Sequence, residues 1–221
     1  MTITVACISD IHGSYLSKEQ MPVADLLVIA GDATKRGCHR EFVEFAKQLK
    51  NWSGNYENIV YVPGKHDVAI YNHQERYTNL LMSEVCNLDV LIDTDVNISG
   101  YNIWGTPQSP HDNVWAFTSK NNRRKHIINK IPKNTDIIVS YSPPWSIMDL
   151  EPNGSGYFYH IGCKYLLQAS AAIKPKLHVF GSSHTNNGIK TTNNGSTTFV
   201  NASLISEYDK PLNDVIVVDL I

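Results

Sequence analysis

The sequence predicts an α/β domain with mixed sheets, on three observations. Short runs rich in β-branched residues alternate with segments of helical spacing, several of those runs end in Asp, His, Lys or small residues, and one late segment carries a hairpin turn. The buried-strand runs are Ile3 to Ile8, Leu26 to Ala30, Ile59 to Val62, Ile137 to Ser140, Leu177 to Phe180 and Val215 to Leu220. Helical spacing falls between them at Glu41 to Lys50, His73 to Val85, Thr118 to Asn129 and Cys163 to Ile173. Asn194-Gly195, between Ile189 to Thr192 and Thr197 to Val200, reads as a two-residue hairpin turn, because both positions of a type I′ turn need positive φ. That pair makes the sheet content mixed. With no repeat, low-complexity tract or linker-like shift, residues 1–221 read as one domain.

A chain of 221 residues with 42% apolar residues can bury a sizeable core. Its formal net charge of −2 argues against a broad electrostatic hold on nucleic acid and favours a small anionic ligand in a local pocket. Cys7, Cys38, Cys86 and Cys163 form no C-x-x-C pair and read as reduced thiols of a cytoplasmic protein. The opening MTITVACISD runs straight into a strand pattern, and no apolar stretch reaches the length of a membrane span, so neither export nor membrane insertion is expected.

The polar residues carry the functional signal. The successive apolar runs end in SDIHG, AGDAT, PGKHD, SYSPP and GSSH, and in open α/β sheets the carboxyl edge is where ligands bind. Asp10 and His12, two apart where the backbone is still extended, form a chelating pair. By itself such a pair is more often a turn cap and a surface imidazole. Asp32 after Gly31, His66-Asp67 after a Pro-Gly turn and His184 closing another turn change that balance, and Gly31 and Gly64 let the backbone approach an ion or phosphate.

The order D-x-H, G-D, G-K-H-D and a final His resembles the calcineurin-like metallophosphoesterases, whose segments read D-x-H, G-D, G-N-H-[DE], a later His and G-H-x-H. IWGTPQSP, SYSPPWSIMD, HIGCKYLLQA and KPKLHVFGSSH are similar to the class III branch, which includes cyclic-nucleotide phosphodiesterases. The resemblance implies a four-layer α/β/β/α sandwich of two mixed sheets with the site at the strand carboxyl ends. It also implies that Asp10, His12, Asp32 and His184 hold a first divalent transition metal (manganese, iron or zinc), with Asp32 bridging to a second. The second metal would need an Asn and two His where this chain has Lys65, Tyr141 and Ser182, so it is not expected. Charged Lys65 has no lone pair to offer, yet its ammonium is placed to offset Asp32 and to meet a phosphate oxygen. His66 matches the family residue that protonates the leaving oxygen; His66, Lys65 and Asp67 are the catalytic candidates.

Trp104, Trp145, Tyr157 and Tyr159 fall in segments that the resemblance places around the pocket, where aromatic rings either stack on a base or pack the loops. His160 lines the pocket or caps the following helix, and His111 is a candidate phosphate contact. Arg123 to Lys125 reads as a solvated helix face. The leading reading is therefore a protein that binds a nucleotide or cyclic nucleotide with impaired or absent hydrolysis. The alternatives are an active one-metal phosphodiesterase using Lys65, and a sequestering protein that binds without cleaving.

Overall fold

The computed structural model describes residues 2–110, 115–192, 195–205 and 213–221. His111 and Asn194 lie outside the described residues.

One sheet has the order β13-β1-β2-β3-β4, built from β1 (Ile3–Ile8), β2 (Ala24–Ala30), β3 (Tyr56–Val62), β4 (Leu88–Val90) and β13 (Ile216–Leu220). β1 to β4 pair in parallel and β13 runs antiparallel beside β1. The other sheet has the order β11-β12-β10-β7-β6-β5, from β5 (Thr94–Ile98), β6 (Tyr101–Thr106), β7 (Ile137–Ser140), β10 (Leu177–Phe180), β11 (Gly188–Thr191) and β12 (Thr198–Asn201). Its edges, β5 and β11, are antiparallel and its interior pairs are parallel. A separate hairpin joins β8 (Leu150–Pro152) to β9 (Phe158–His160).

Alternation along the strands decides the layers. Val5, Cys7, Val28 and Val60 of the first sheet meet Ile103, Val139, Val179 and Val200 of the second in one buried cluster, which packs sheet on sheet. Ala6, Ile8, Leu27, Ile29 and Ile59 point the other way, onto Phe42, Phe45, Leu49 and Trp52 of α1 (His39–Trp52) and Leu81 of α3 (Gln74–Glu84). A short α2 (Val68–Asn72) precedes α3. On the far face, Trp104 and Ile138 pack beneath Ile128 of α4 (Asn121–Ile128) and Leu166 of α5 (Lys164–Ile173). The result is the expected four-layer α/β/β/α sandwich, and among the described residues no helix is long and apolar enough to cross a membrane.

Three expectations change. Trp104 is not a pocket residue: β6 continues through it and it is 5% exposed in the outer core. Arg124 is not on a solvated face but 4% exposed. The β11–β12 hairpin is present, but the Thr192 N–H donating to the Thr197 carbonyl closes a wider connection than a two-residue turn.

Candidate functional site

The carboxyl ends of β1 and β2 deliver Asp10, His12 and Asp32 in left-handed backbone, with φ of 53°, 48° and 51°. Asp and His tolerate this region better than most residues, although it still costs roughly 1–2 kcal/mol per residue. The strain is held by backbone bonds across the strand ends: the Asp10 N–H donates to the Gly31 carbonyl at 2.9 Å and the His12 N–H to that of Asp32 at 2.9 Å. Ser182, after β10, is also left-handed (φ 67°), and its N–H donates to Asp10 Oδ2 at 2.9 Å. The site is thereby assembled from both sheets.

Asp10, His12 and His184 bring one ligand atom each within 4.8 Å of one another, and so do His12, Asp32 and His66. His12 Nε2 is the common point, 3.8 Å from Asp10 Oδ1 and 3.9 Å from Asp32 Oδ2, while His184 Nε2 lies 3.4 Å from Asp10 Oδ1. His12 Nε2 is buried without a hydrogen-bond partner. A buried ring nitrogen facing two carboxylates is what a divalent cation needs, so these residues fit a metal.

Electrostatics point the same way. Asp10 and Asp32 are both fully buried. Burial pushes the Asp10 carboxyl up, but the hydrogen bond and charge of His184 and the charge of His12 outweigh it and hold Asp10 below the usual range. Asp32 is pushed well up by burial and by the charges of Asp10 and Asp67. Burial lowers His12 to about 4, so its imidazole is neutral and able to ligate at neutral pH. For His184, the Asp10 hydrogen bond and charge, with the charge of Glu151, overcome burial and raise the pKa.

The other side of Asp32 is occupied by protein. The Tyr141 hydroxyl donates to Asp32 Oδ2 at 2.9 Å and the His66 N–H to Oδ1 at 2.8 Å. Burial, with the charges of Asp32 and Asp10, keeps the Tyr141 phenol protonated, and Ser182 lies beside it. Lys65 Nζ sits 5.9 Å from the Tyr141 ring centre, and its charge is felt at Asp32, His12, His66 and His184. Gly31 and Gly64 make room for this ring: a Cβ would fall 2.4 Å and 2.8 Å from Tyr141 Cδ2 respectively.

His66 Nδ1 is 2.8 Å from the Lys35 carbonyl, so it is the protonated nitrogen, and Nε2 faces Asp32 Oδ2 at 4.0 Å. Asp67 is placed as a positioning residue: its oxygens accept from the Gly64 N–H at 2.7 Å, the Thr34 N–H at 2.9 Å and the Thr34 hydroxyl at 2.7 Å. Trp145 and His160 stack on each other (4.7 Å), with His160 Nδ1 2.7 Å from Asp149, and among the described residues neither makes a hydrogen bond or ring contact with the Asp10 to His184 cluster. Tyr157 is 75% exposed at the β8–β9 connection. Two residues lack a sequence signal. Trp115 packs on His66 at 4.8 Å, and Glu151 accepts from the Ser183 hydroxyl at 2.8 Å next to His184.

The calcineurin-like phosphoesterase family profile matches residues 3–186. The chain belongs to that family. Metallophosphoesterase domain-containing protein 1 of Homo sapiens is 30% identical over 240 residues, covering 97% of this chain and 70% of that protein. UPF0046 protein K07C11.7 of Caenorhabditis elegans is 26% identical, covering 91% and 69%. The crystal structure of TT1561 of Thermus thermophilus shares the fold, with a TM-score of 0.67 over 93% of this chain and 90% of that one at 15% identity. Membership carries a phosphate-containing substrate and divalent metal chemistry with it.

Proposed function

We propose that this calcineurin-like phosphoesterase binds a nucleotide or cyclic nucleotide at a one-metal centre and hydrolyses it slowly or not at all. The observation that carries the reading is the Tyr141 hydroxyl on Asp32 Oδ2 at 2.9 Å, on the carboxylate that the family resemblance makes the bridge between two ions. Asp10, His12, Asp32 and His184 would hold manganese, iron or zinc, which supplies Lewis acidity toward a phosphoryl oxygen. Tyr141 fills the space beside Asp32, Ser182 flanks its hydroxyl, and Lys65 supplies positive charge there. An ammonium replaces charge and not coordination, so a phosphate is held while water activation is weakened.

His66 supports the same reading. With Nδ1–H directed at the Lys35 carbonyl and the pKa lowered by burial, the neutral ring presents an Nε2 lone pair to the site. Leaving-group protonation needs the imidazolium, which that environment disfavours.

The restoration triple Lys65→Asn, Tyr141→His, Ser182→His, assayed with manganese on a generic phosphodiester, tests this directly. Elemental analysis of the parent is expected to give about one transition metal per chain, the stoichiometry of a single closed site, and the triple to gain both a second metal and turnover. A parent that already binds two metals, or cleaves as fast as the triple, refutes the reading. Clear one-metal turnover by the parent that vanishes on His12→Ala instead favours an active phosphodiesterase using Lys65. Recovery of an intact nucleotide from purified protein favours sequestration.

A further inference from the structure

A second pocket, of about 280 Å3, lies between the first turns of α4 and α5, lined among others by Asn121, Arg124, Trp145, Lys164, Tyr165 and Gln168. It shares no lining residue with the metal cluster, and no Asp or Glu is among its described lining residues. We propose that it is an anion site for a tetrahedral phosphate group, held by Arg124, Lys164 and the N-terminal turn of α5.

Arg124 is the primary observation. It is 4% exposed, yet among the described residues its guanidinium is held only by neutral acceptors: Nη1 donates to the Ser109 carbonyl at 3.1 Å and to that of Ser119, and Nη2 to Asn121 Oδ1. Nε has no partner, and among the described residues no carboxylate pairs with the side chain. A buried guanidinium without a counter-charge is costly unless an anion completes it. Asp149, behind Gly162, does not supply that charge to the pocket. Its oxygens serve His160 at 2.7 Å, the Ser146 N–H at 3.0 Å and the Gly162 N–H at 3.1 Å.

The second observation is the α5 terminus. Cys163 at the N-cap provides no side-chain hydrogen bond, no acidic residue lies in the first turn, and the Leu167 N–H is the first to reach back, to Cys163. The Cys163 N–H donates to the Pro143 carbonyl at 2.8 Å, so the N–H groups of Lys164, Tyr165 and Leu166 and the positive end of the helix macrodipole are what is open to an anion. Lys164 adds an ammonium at the same mouth, held 4.7 Å from the centre of the Trp145 ring. His160 also stacks on Trp145, so the ring is engaged and a compact group fits better than a second stacked base.

The source is free orthophosphate or the phosphate end of a nucleotide. The test follows the amide signals of residues 162–166 by NMR in the full chain, chelator-treated and carrying His12→Ala, first with orthophosphate and then with AMP. Saturable shifts in those amides, weakened about ten-fold or more by Lys164→Ala through loss of one charge-assisted contact, support the site. Tighter binding of AMP than of orthophosphate at these amides assigns the nucleotide source; equal or weaker binding assigns free phosphate. Arg124→Gln should abolish the shifts, and because it touches the core, exposed Lys164→Ala decides if that variant does not fold. No saturable shift at residues 162–166, or an affinity unchanged in Lys164→Ala, overturns the proposal.

Discussion

His12 and His178 are both histidines whose pKa is driven down by burial, to about 4 and about 3, and they occupy opposite kinds of place. His178 sits mid-strand in β10, with Nε2 2.8 Å from the Ser140 hydroxyl and Nδ1 2.8 Å from that of Ser170, against Phe180 and Phe199. His12 follows a strand end in left-handed backbone, and its Nε2 has no hydrogen-bond partner. A depressed pKa is common to both, so it does not mark function. An unpaired buried atom alone does not mark it either, since the core residue Trp104 also has one at Nε1. What separates His12 is that its open Nε2 faces two carboxylates, 3.8 Å from Asp10 Oδ1 and 3.9 Å from Asp32 Oδ2, a ligand set that His178 lacks.

The sharpest way to break this comparison is His12→Ala. Metal content measured by elemental analysis should fall to near zero, through an affinity loss of at least about 100-fold, the upper range for even an outer partner of a metal site. The folding stability of metal-free protein should barely change. His178→Ala should do the reverse, lowering stability in denaturant titration by about 2–4 kcal/mol through a cavity and unpaired serines while leaving metal content intact. Loss of metal in the second variant, or of folding in the first, would erase the distinction.

A smaller effect is the pH dependence. His178 has a folded-state pKa below its unfolded value, so between about 3 and 6.5 the unfolded chain binds the extra proton. Its contribution to stability is complete above the unfolded value and is lost as pH falls toward the folded one. Denaturant midpoints should therefore decline below pH 6.5, and His178→Gln should flatten the slope. An unchanged slope would contradict the assignment. Smallest is Tyr141→Phe, which leaves Asp32 Oδ2 without its phenolic donor and should cost about 1–3 kcal/mol in metal-free protein. Added manganese should recover most of that loss in a melting curve.

The strand ends that matter were legible because they stack local signals: an apolar run, a turn and a ligand-type side chain in a few residues. Asp10, His12, Asp32, His66 and His184 meet in space as their segments suggested. What stayed hidden depends on distant chain. Trp104 looks like a loop aromatic beside Gly105, yet β6 pairs through both, Trp104 opposite Ile138 and Gly105 opposite Val139. Arg124 sits in a polar helix, and its burial comes with hydrogen bonds from its guanidinium to the carbonyls of Ser109 and Ser119, outside that helix. The hydroxyl of Tyr141 meets Asp32 across 109 residues of sequence, a pairing no local pattern encodes. Strands β4 and β5 leave little trace in the sequence, because β4 is brief and β5 carries polar residues at an exposed edge; β6, paired between β5 and β7, escapes the same reading.

Asp10 and Asp32 belong to the first sheet, whereas Ser182, Tyr141 and His184 rise from the second, and the N–H of Ser182 and the hydroxyl of Tyr141 reach across to those carboxylates. The seam between the sheets is therefore laced at its functional edge. An ion seated on Asp10 and His184 would act there as a clasp, binding only the closed sandwich, so each increment of occupancy would tighten the docking of the two halves by mass action. Neither half alone carries the full ligand set.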